Sequence, residues 1–262
     1  GWTPAYLECA RPVPIGVIDT GVDLSHPILA GAEIELETVR RADRRPSDPA
    51  HGTGVVSVLV GRPGSRVVGI APRAKVIAVD AFHRAGRTDA TDAFDLIAAL
   101  DVLAARGARV INMSLSGPEN VLLQRAVARF AERGTTIVAA AGTPSGTGSG
   151  YPARYEGVFA VAAIDQSMRP SRLSARGAHI VLSAPGVGIP VAAPGGTSRL
   201  ASGTSFATPF VSAAVAVAKA QAGGDSAATA ATLQALAKDL GAPGRDAVFG
   251  WGLVQFPPIG GC

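Results

Sequence analysis

The amino-acid sequence predicts an α/β fold in which helices pack on both faces of a mostly parallel β-sheet. Short runs rich in β-branched residues alternate with longer alanine-rich segments along nearly the whole chain. Several of the short runs are apolar at consecutive positions, which is typical of parallel strands buried on both faces. No repeat, long linker or change of composition divides the chain, so we expect a single domain over residues 1–262.

Seven segments have the character of strands. In chain order they are Pro14–Ile18, Ile34–Val39, Lys75–Val79, Arg109–Ser114, Thr135–Ala141, Gly157–Ala162 and His179–Leu182. In the second segment Glu33, Glu35 and Glu37 alternate with apolar residues, and this period of two predicts a half-exposed strand at a sheet edge.

Five segments have the character of helices. They are His51–Val60, Thr91–Ala105, Val121–Arg133, Ser205–Gln221 and Ala227–Leu240. Thr88 or Asp89 is expected to cap the second helix, and Gly107 to follow its last turn. Asp89, Asp92 and Asp95 lie near the start of that helix, where carboxylates stabilise the helix dipole, with a metal cluster as the alternative.

Composition and charge exclude several classes of protein. With 47% apolar and 17% charged residues, the chain is not intrinsically disordered. The formal net charge of +4 is small, and the arginines cluster only at residues 40–45. This cluster is either a solvated loop or a basic rim that attracts acidic ligands. There is neither a nucleic-acid-binding motif nor an apolar stretch of ~18 residues, so we expect no nucleic-acid or membrane partner.

The two cysteines lie near opposite ends of the chain. Cys9 and Cys262 cannot form a metal site alone, and the sequence leaves open whether they pair. Because the chain begins with Gly1 rather than methionine, we expect that an upstream segment was removed.

Three segments place a reactive side chain where a strand gives way to a loop or a helix. Asp19 precedes Thr-Gly at the end of the first strand, His51 begins the motif His-Gly-Thr-Gly, and Ser205 lies in Gly-Thr-Ser-Phe-Ala-Thr-Pro. A serine nucleophile needs an adjacent base, for which histidine is suited, and a buried carboxylate fixes the imidazole tautomer. N–H groups at a helix start can also stabilise an oxyanion. Because the carboxyl ends of parallel strands meet at one sheet edge, these residues are expected to converge.

Taken singly, each motif has a simpler interpretation. A serine at a helix start is usually a cap, and His51 alone would be a solvated residue, as we expect of His26, His83 and His179. Asp-Thr-Gly also occurs in aspartic proteases, but the chain has no second copy. A nucleotide-binding protein is disfavoured because no GxGxxG loop follows the first strand.

With the three motifs in this order, the chain closely resembles the subtilisin-like serine proteases, the subtilase family. The resemblance runs from about Val13 to Leu253. It includes Val110–Gly117, Tyr151-Pro152-Ala153, Ala184-Pro185-Gly186 and Gly250-Trp251-Gly252. It implies a three-layer fold with a seven-stranded, mostly parallel sheet. It also implies a serine endopeptidase acting through an acyl-enzyme, in which Asp19 orients His51, His51 is general base and then acid, and Ser205 is the nucleophile.

The resemblance also implies how substrate binds. A polypeptide would add as an extended strand between the segment Ser114, Leu115, Ser116 and Gly117 and the segment around Gly86–Thr88. Ala140, Ala141 and Gly142 would form the wall of a roomy apolar pocket for the residue before the scissile bond, which the loop at 143–150 could reshape. A secreted or cell-envelope location and an inhibitory propeptide are further implications.

The chain departs from the family pattern at the oxyanion hole. Subtilases place an asparagine after Ala-Ala-Gly, whereas this chain has Thr143, and neither Asn112 nor Asn120 is placed to substitute. In one interpretation, the Thr143 hydroxyl donates to the oxyanion, directly or through water, together with the backbone of Ser205. In the other, the chain is a weak or silent subtilase-fold module that binds a peptide or protein partner. The complete set of triad residues favours an active enzyme.

A second departure concerns metal. Many subtilases bind calcium in the loop after the histidine helix, and calcium requires several oxygen ligands, usually including carboxylates. In this chain the loop Gly61–Arg66 carries two arginines. We therefore expect no calcium there and no required cofactor.

Overall fold

The structure, a computed structural model, describes residues 13–144 and 149–258, apart from the side chain of Ser149. Cys9 and Cys262, whose pairing the sequence leaves open, lie outside the described residues. The strands β1 to β13 are, in order, Ile15–Asp19, Ile34–Thr38, Val76–Asp80, His83–Ala85, Thr88–Ala90, Val110–Met113, Gly117–Pro118, Thr136–Ala140, Ser149–Tyr151, Phe159–Ile164, Ile180–Pro185, Ile189–Ala193 and Thr197–Ala201. The helices α1 to α5 are Ala50–Val60, Ala93–Ala105, Val121–Glu132, Thr204–Gln221 and Ser226–Leu236, and Pro27–Leu29 forms a 3₁₀ turn.

Seven strands form a parallel sheet in the order β11-β10-β8-β6-β1-β3-β2. They correspond to the seven predicted strands, so the predicted α/β sheet is confirmed. Every residue of β1, β3, β6 and β8 is buried, as expected for strands covered on both faces. β2 is half-buried and lies at the edge, as the alternating glutamates predict.

Helices cover both faces of the sheet and produce three layers. One core cluster joins α1 and α4 to one face, to which β1 contributes Val17. A second cluster joins α2 and α3 to the opposite face, to which β1 contributes Ile18. Because side chains alternate along a strand, neighbouring apolar residues of one strand enter both cores.

Two predicted helix boundaries are wrong. The start of α2 is capped by Asp92, whose side chain accepts the Asp95 N–H at 3.0 Å, while Thr88 and Asp89 lie in the hairpin strand β5. The last helix ends at Leu236 rather than Leu240, because the backbone of Lys238 pairs with Leu253 instead. The expected residue after α2 is confirmed, since Gly107 has a φ of 76°.

Three antiparallel pairs escaped the sequence prediction: β4–β5, β7–β9 and the longer hairpin β12–β13. Their strands are short or partly exposed and lack a strict alternation of apolar residues. The β12–β13 hairpin leads directly to Ser202 and the start of α4, so it borders the site. No helix in the described part of the chain is both long and apolar enough to cross a membrane.

Candidate active site

Asp19 and His51 are joined by a hydrogen bond. Asp19 is the last residue of β1 and is 2% exposed, and its Oδ1 lies 2.7 Å from His51 Nδ1. The same oxygen accepts the Thr20 N–H at 2.7 Å, while Oδ2 is buried with no partner among the described residues. A buried carboxylate on Nδ1 holds the proton there and leaves Nε2 free to accept another.

The turn that carries Asp19 is tied to the helix that carries His51. The Gly52 N–H donates to Thr20 Oγ1 at 2.9 Å, and a Cβ on Gly52 would lie 2.4 Å from the Thr20 carbonyl oxygen. Only glycine fits such an approach, which explains the residue after the histidine. The Gly21 N–H on the same turn donates to Ser47 Oγ at 2.9 Å. The two segments are therefore positioned as one unit.

The charge of Asp19 raises the pKa of His51 above its usual value. Burial opposes this shift, and the hydrogen bond to Asp19 adds to it. Two more distant charges act in opposite directions: Arg199 lowers the pKa of His51, and Asp89 raises it. The His51 side chain is 38% exposed, so part of the ring is accessible from solvent.

Ser205 lies in the first turn of α4, after Gly203, whose φ of 151° few other residues adopt. Its hydroxyl donates to the Ser114 carbonyl at 3.0 Å, and Ser114 Oγ donates back to the Ser205 carbonyl at 2.7 Å. No direct hydrogen bond joins His51 and Ser205, both of which the structure describes, but they line the same cavity of 410 Å³. The ring of Phe206 lies 5.6 Å from that of His51, between centroids.

A chain of buried polar groups supports the serine. Ser212 Oγ donates to Asn112 Oδ1 at 3.0 Å, and Asn112 Nδ2 donates to Ser114 Oγ at 2.9 Å. Asn112 is fully buried, so its amide is engaged here rather than at an oxyanion. Asn120 caps α3 by accepting two backbone N–H groups. Local sequence patterns do not predict this series of hydrogen bonds from Ser212 to Ser114.

Thr143 lies on the same cavity as Ser205. It is exposed and follows Gly142, whose φ is 81°. The Gly142 N–H donates to Thr204 Oγ1 at 3.2 Å, which ties this loop to the start of α4.

The predicted substrate-binding residues divide between two cavities and the core. Ser114, Leu115, Ser116 and Gly117 line a larger cavity of 660 Å³. Its opposite wall includes residues 89–93, whereas Gly86 lies in the turn of the β4–β5 hairpin. Ala140 and Gly142 line the smaller cavity with Ser205. Ala141 is fully buried and packs in the core with Ala162, Ala175 and Ile180.

The three aspartates near α2 form ion pairs with arginine. Asp89 pairs with Arg84 at 2.8 Å, and Asp92 and Asp95 both pair with Arg44 at 2.8 Å. Within residues 13–144 and 149–258, no group of three or more His, Cys, Asp or Glu residues is arranged to hold a metal ion.

Comparison of the chain with known protein families identifies the family to which it belongs. The model of the subtilase family, Peptidase_S8, matches residues 11–252. The chain belongs to the subtilase family. This subtilase therefore has the fold of a family of serine proteases, as its motifs predict.

Individual relatives agree with this assignment. This subtilase is 33% identical to subtilisin DY of Bacillus licheniformis over 216 residues, which cover 78% of this chain and 76% of the relative. It is 34% identical to subtilisin E of Bacillus subtilis over 213 residues, which cover 78% of this chain and 55% of that protein. Among solved structures, the self-cleaved protease domain of PatA aligns with a TM-score of 0.80 and 28% identity over 95% of each chain.

Proposed function

We propose that this subtilase is an active serine endopeptidase with Asp19, His51 and Ser205 as its catalytic triad. The observation that carries the proposal is the 2.7 Å hydrogen bond between Asp19 and His51, with His51 on the cavity that holds Ser205. Carboxylate, imidazole and hydroxyl are the groups needed for nucleophilic acyl transfer.

The first half of the reaction forms an acyl-enzyme. The Ser205 hydroxyl turns about its Cα–Cβ bond from the Ser114 carbonyl to His51 Nε2. Oγ then attacks the substrate carbonyl carbon while Nε2 takes the hydroxyl proton, giving an oxyanion. When the oxyanion collapses, the carbon–nitrogen bond breaks and His51 gives its proton to the leaving amine. In the second half, water attacks the ester carbon while His51 takes its proton. The bond between that carbon and Ser205 Oγ then breaks, His51 returns the proton to Oγ, and the carboxylic acid is released.

The oxyanion would be held by the start of α4 and by Thr143. The Ser205 N–H belongs to the first turn, where N–H groups have no partner within the helix and face the positive end of its dipole. The Thr143 hydroxyl lies on the same cavity and supplies the second donor, directly or through water. A flexible hydroxyl is a weaker donor than a positioned amide, so we expect a slow enzyme.

The substrate would be a polypeptide in extended form. Ser114 and Leu115 follow β6 outside any strand pair, and so offer backbone groups to an added strand. The small residues Ala140 and Gly142 leave room for the side chain before the scissile bond. The proposal includes a secreted or cell-envelope location, an inhibitory propeptide, no required metal and no nucleic-acid or membrane partner.

One observation favours a second candidate, a silent module that binds a peptide or protein partner. The Ser205 hydroxyl donates to the Ser114 carbonyl and not to His51. If this arrangement persisted with substrate bound, the hydroxyl would not be activated.

A fluorophosphonate probe distinguishes the two candidates because it reacts only with an activated serine. We expect stoichiometric labelling of Ser205, found by peptide mass mapping, and none in Ser205→Ala. Ser202→Ala is the matched control, because Ser202 lines the same cavity and should leave labelling unchanged. A folded wild-type protein that is not labelled would overturn the proposed protease.

A further inference from the structure

Arg199 stands beside the catalytic groups without a carboxylate partner. Its guanidinium lies 6.0 Å from the centre of the Phe206 ring, and the His51 ring lies 5.6 Å from the same ring, between centroids. The Arg199 side chain is exposed and forms no ion pair or hydrogen bond with another described residue, although its backbone belongs to the β12–β13 hairpin. By contrast, Arg44 and Arg84, near the larger cavity, are each paired with aspartates.

The position of Arg199 relates it to the leaving group of the substrate. The part of the substrate before the scissile bond would lie along Ser114–Gly117, in the larger cavity. The leaving amine must lie next to His51, which protonates it. From there the leaving segment would continue past Phe206 toward β13, whose middle residue is Arg199 and whose end leads to Ser202 on the smaller cavity.

We infer that Arg199 binds a carboxylate on the leaving-group part of the substrate. The carboxylate belongs either to an Asp or Glu within the first two residues after the scissile bond or to the C-terminus of a short leaving peptide. This inference rests on the proposed protease function. A planar guanidinium forms paired hydrogen bonds with a carboxylate, and the aromatic ring below restrains its orientation.

Fluorogenic peptides that are identical before the scissile bond test the inference. In one set of peptides, the first or second residue after the scissile bond is Asp, Gln or Lys. In a second set, the leaving segment has two residues and ends either in a free carboxylate or in an amide. We expect the acidic peptide to have kcat/KM about two- to fivefold above its Gln counterpart, the range of an exposed ion pair. Preference for the free acid alone would assign the site to a chain terminus.

Three variants locate the effect. Arg199→Gln should abolish the preference, and Arg199→Glu should reverse it in favour of Lys. Arg62→Gln should retain it, because Arg62 lies beyond the C-terminal end of α1, whereas His51 lies in the first turn of that helix. Equal kcat/KM for Asp, Gln and Lys peptides, and for acid and amide, in the wild type would overturn the inference while leaving the protease proposal intact.

Failure of the protease proposal would show separately, as no cleavage of any peptide and no labelling of Ser205. The affinity of the same peptides for Ser205→Ala, measured by fluorescence anisotropy, still tests Arg199. We expect the acidic or free-acid peptide to bind about two- to fivefold more tightly than its neutral counterpart, and the difference to vanish when Arg199→Gln is added. Equal Kd values overturn the inference.

Discussion

Asp80 ends strand β3 directly opposite Asp19, which ends the neighbouring strand β1. Asp80 is 6% exposed, and burial raises the pKa of its carboxyl, opposed by the hydrogen bonds that it accepts. Ser47 Oγ donates to Asp80 Oδ1 at 3.0 Å and accepts the Gly21 N–H at 2.9 Å. Through Ser47, the carboxylate of Asp80 thus holds the turn that follows Asp19.

Asp80→Ala should weaken catalysis by loosening this turn. Losing one such buried hydrogen-bonded support is worth about 1 kcal/mol, so we expect kcat to fall about fivefold with KM nearly unchanged. Asp80→Asn keeps an acceptor for Ser47 and should retain most activity. Steady-state kinetics on a peptide ester makes the comparison, and equal kcat in both variants and the wild type would remove Asp80 from the positioning of Asp19.

The activity of the protease should fall on the acid side of a pKa that lies above the usual histidine value of 6.5. His51 must be neutral to accept a proton, and Asp19 favours its protonated form. Therefore kcat/KM rises with pH through the raised pKa and is lost below it. Asp19→Asn should lower this pKa and reduce kcat by about 10⁴-fold, the loss known for such a change in a serine protease. A profile of kcat/KM against pH checks both, and an unmoved acid limb in Asp19→Asn would contradict the assignment.

Thr143→Asn should raise kcat on a peptide ester by roughly ten- to a thousandfold. A positioned amide donor is worth about 2.7–4 kcal/mol in a subtilisin, or about a hundred- to a thousandfold, and any hydrogen bond that the Thr143 hydroxyl already donates reduces the gain. Thr143→Val separates the hydroxyl from the rest of the side chain and should lower kcat if the hydroxyl donates. If Thr143→Asn brings no gain with the fold intact, the oxyanion is held some other way.

Asn112→Leu should destabilise the fold. The substitution removes both hydrogen bonds of the buried amide and leaves the hydroxyls of Ser114 and Ser212 with one partner fewer each. A buried polar group left unpaired costs about 1–3 kcal/mol. Denaturant unfolding measures the loss, with the exposed Val121→Ala as a control expected to change stability by less than about 0.5 kcal/mol. A loss in Asn112→Leu no larger than in the control would show that these bonds contribute little.

Treatment with a calcium chelator should leave the thermal unfolding midpoint unchanged. Arg62 and Arg66 are exposed in the loop where many subtilases bind calcium, and positive charge opposes a cation there. Differential scanning fluorimetry with excess EDTA, and again with added calcium, makes the measurement. A midpoint that falls with chelator and recovers with calcium would reveal a site that the loop composition does not predict.

The sheet could be predicted from the sequence because a strand buried on both faces requires apolar residues at consecutive positions. Continuous apolar runs such as residues 76–79 identify central strands, and alternation at Glu35 identifies the edge. The hairpins could not be predicted in this way. Thr88 and Asp89 belong to a strand of three residues, where pairing with His83–Ala85 overrides their tendency to cap a helix.

In the candidate site, too, some residues could be predicted from the sequence and others could not. Asp19, His51 and Ser205 lie in motifs that the local sequence displays. Arg199 and Asp80, by contrast, come near these residues only through folding. Arg199 lies far from His51 in sequence and near it in space because β13 runs into the helix that carries Ser205. The Ser47–Asp80 contact joins a loop to a strand end, and neither residue type signals the other.

The charged edge of the sheet has a consequence for how copies of this protein meet. Glu35 and Glu37 of β2 pair with Arg106, and Glu35 also pairs with Lys75 at 2.7 Å. An incoming strand from another molecule would have to strip water from these ions, which discourages edge-to-edge polymerisation. The hydrogen bond from Lys75 lowers the pKa of Glu35, so this barrier to fibre growth should persist into mildly acidic media.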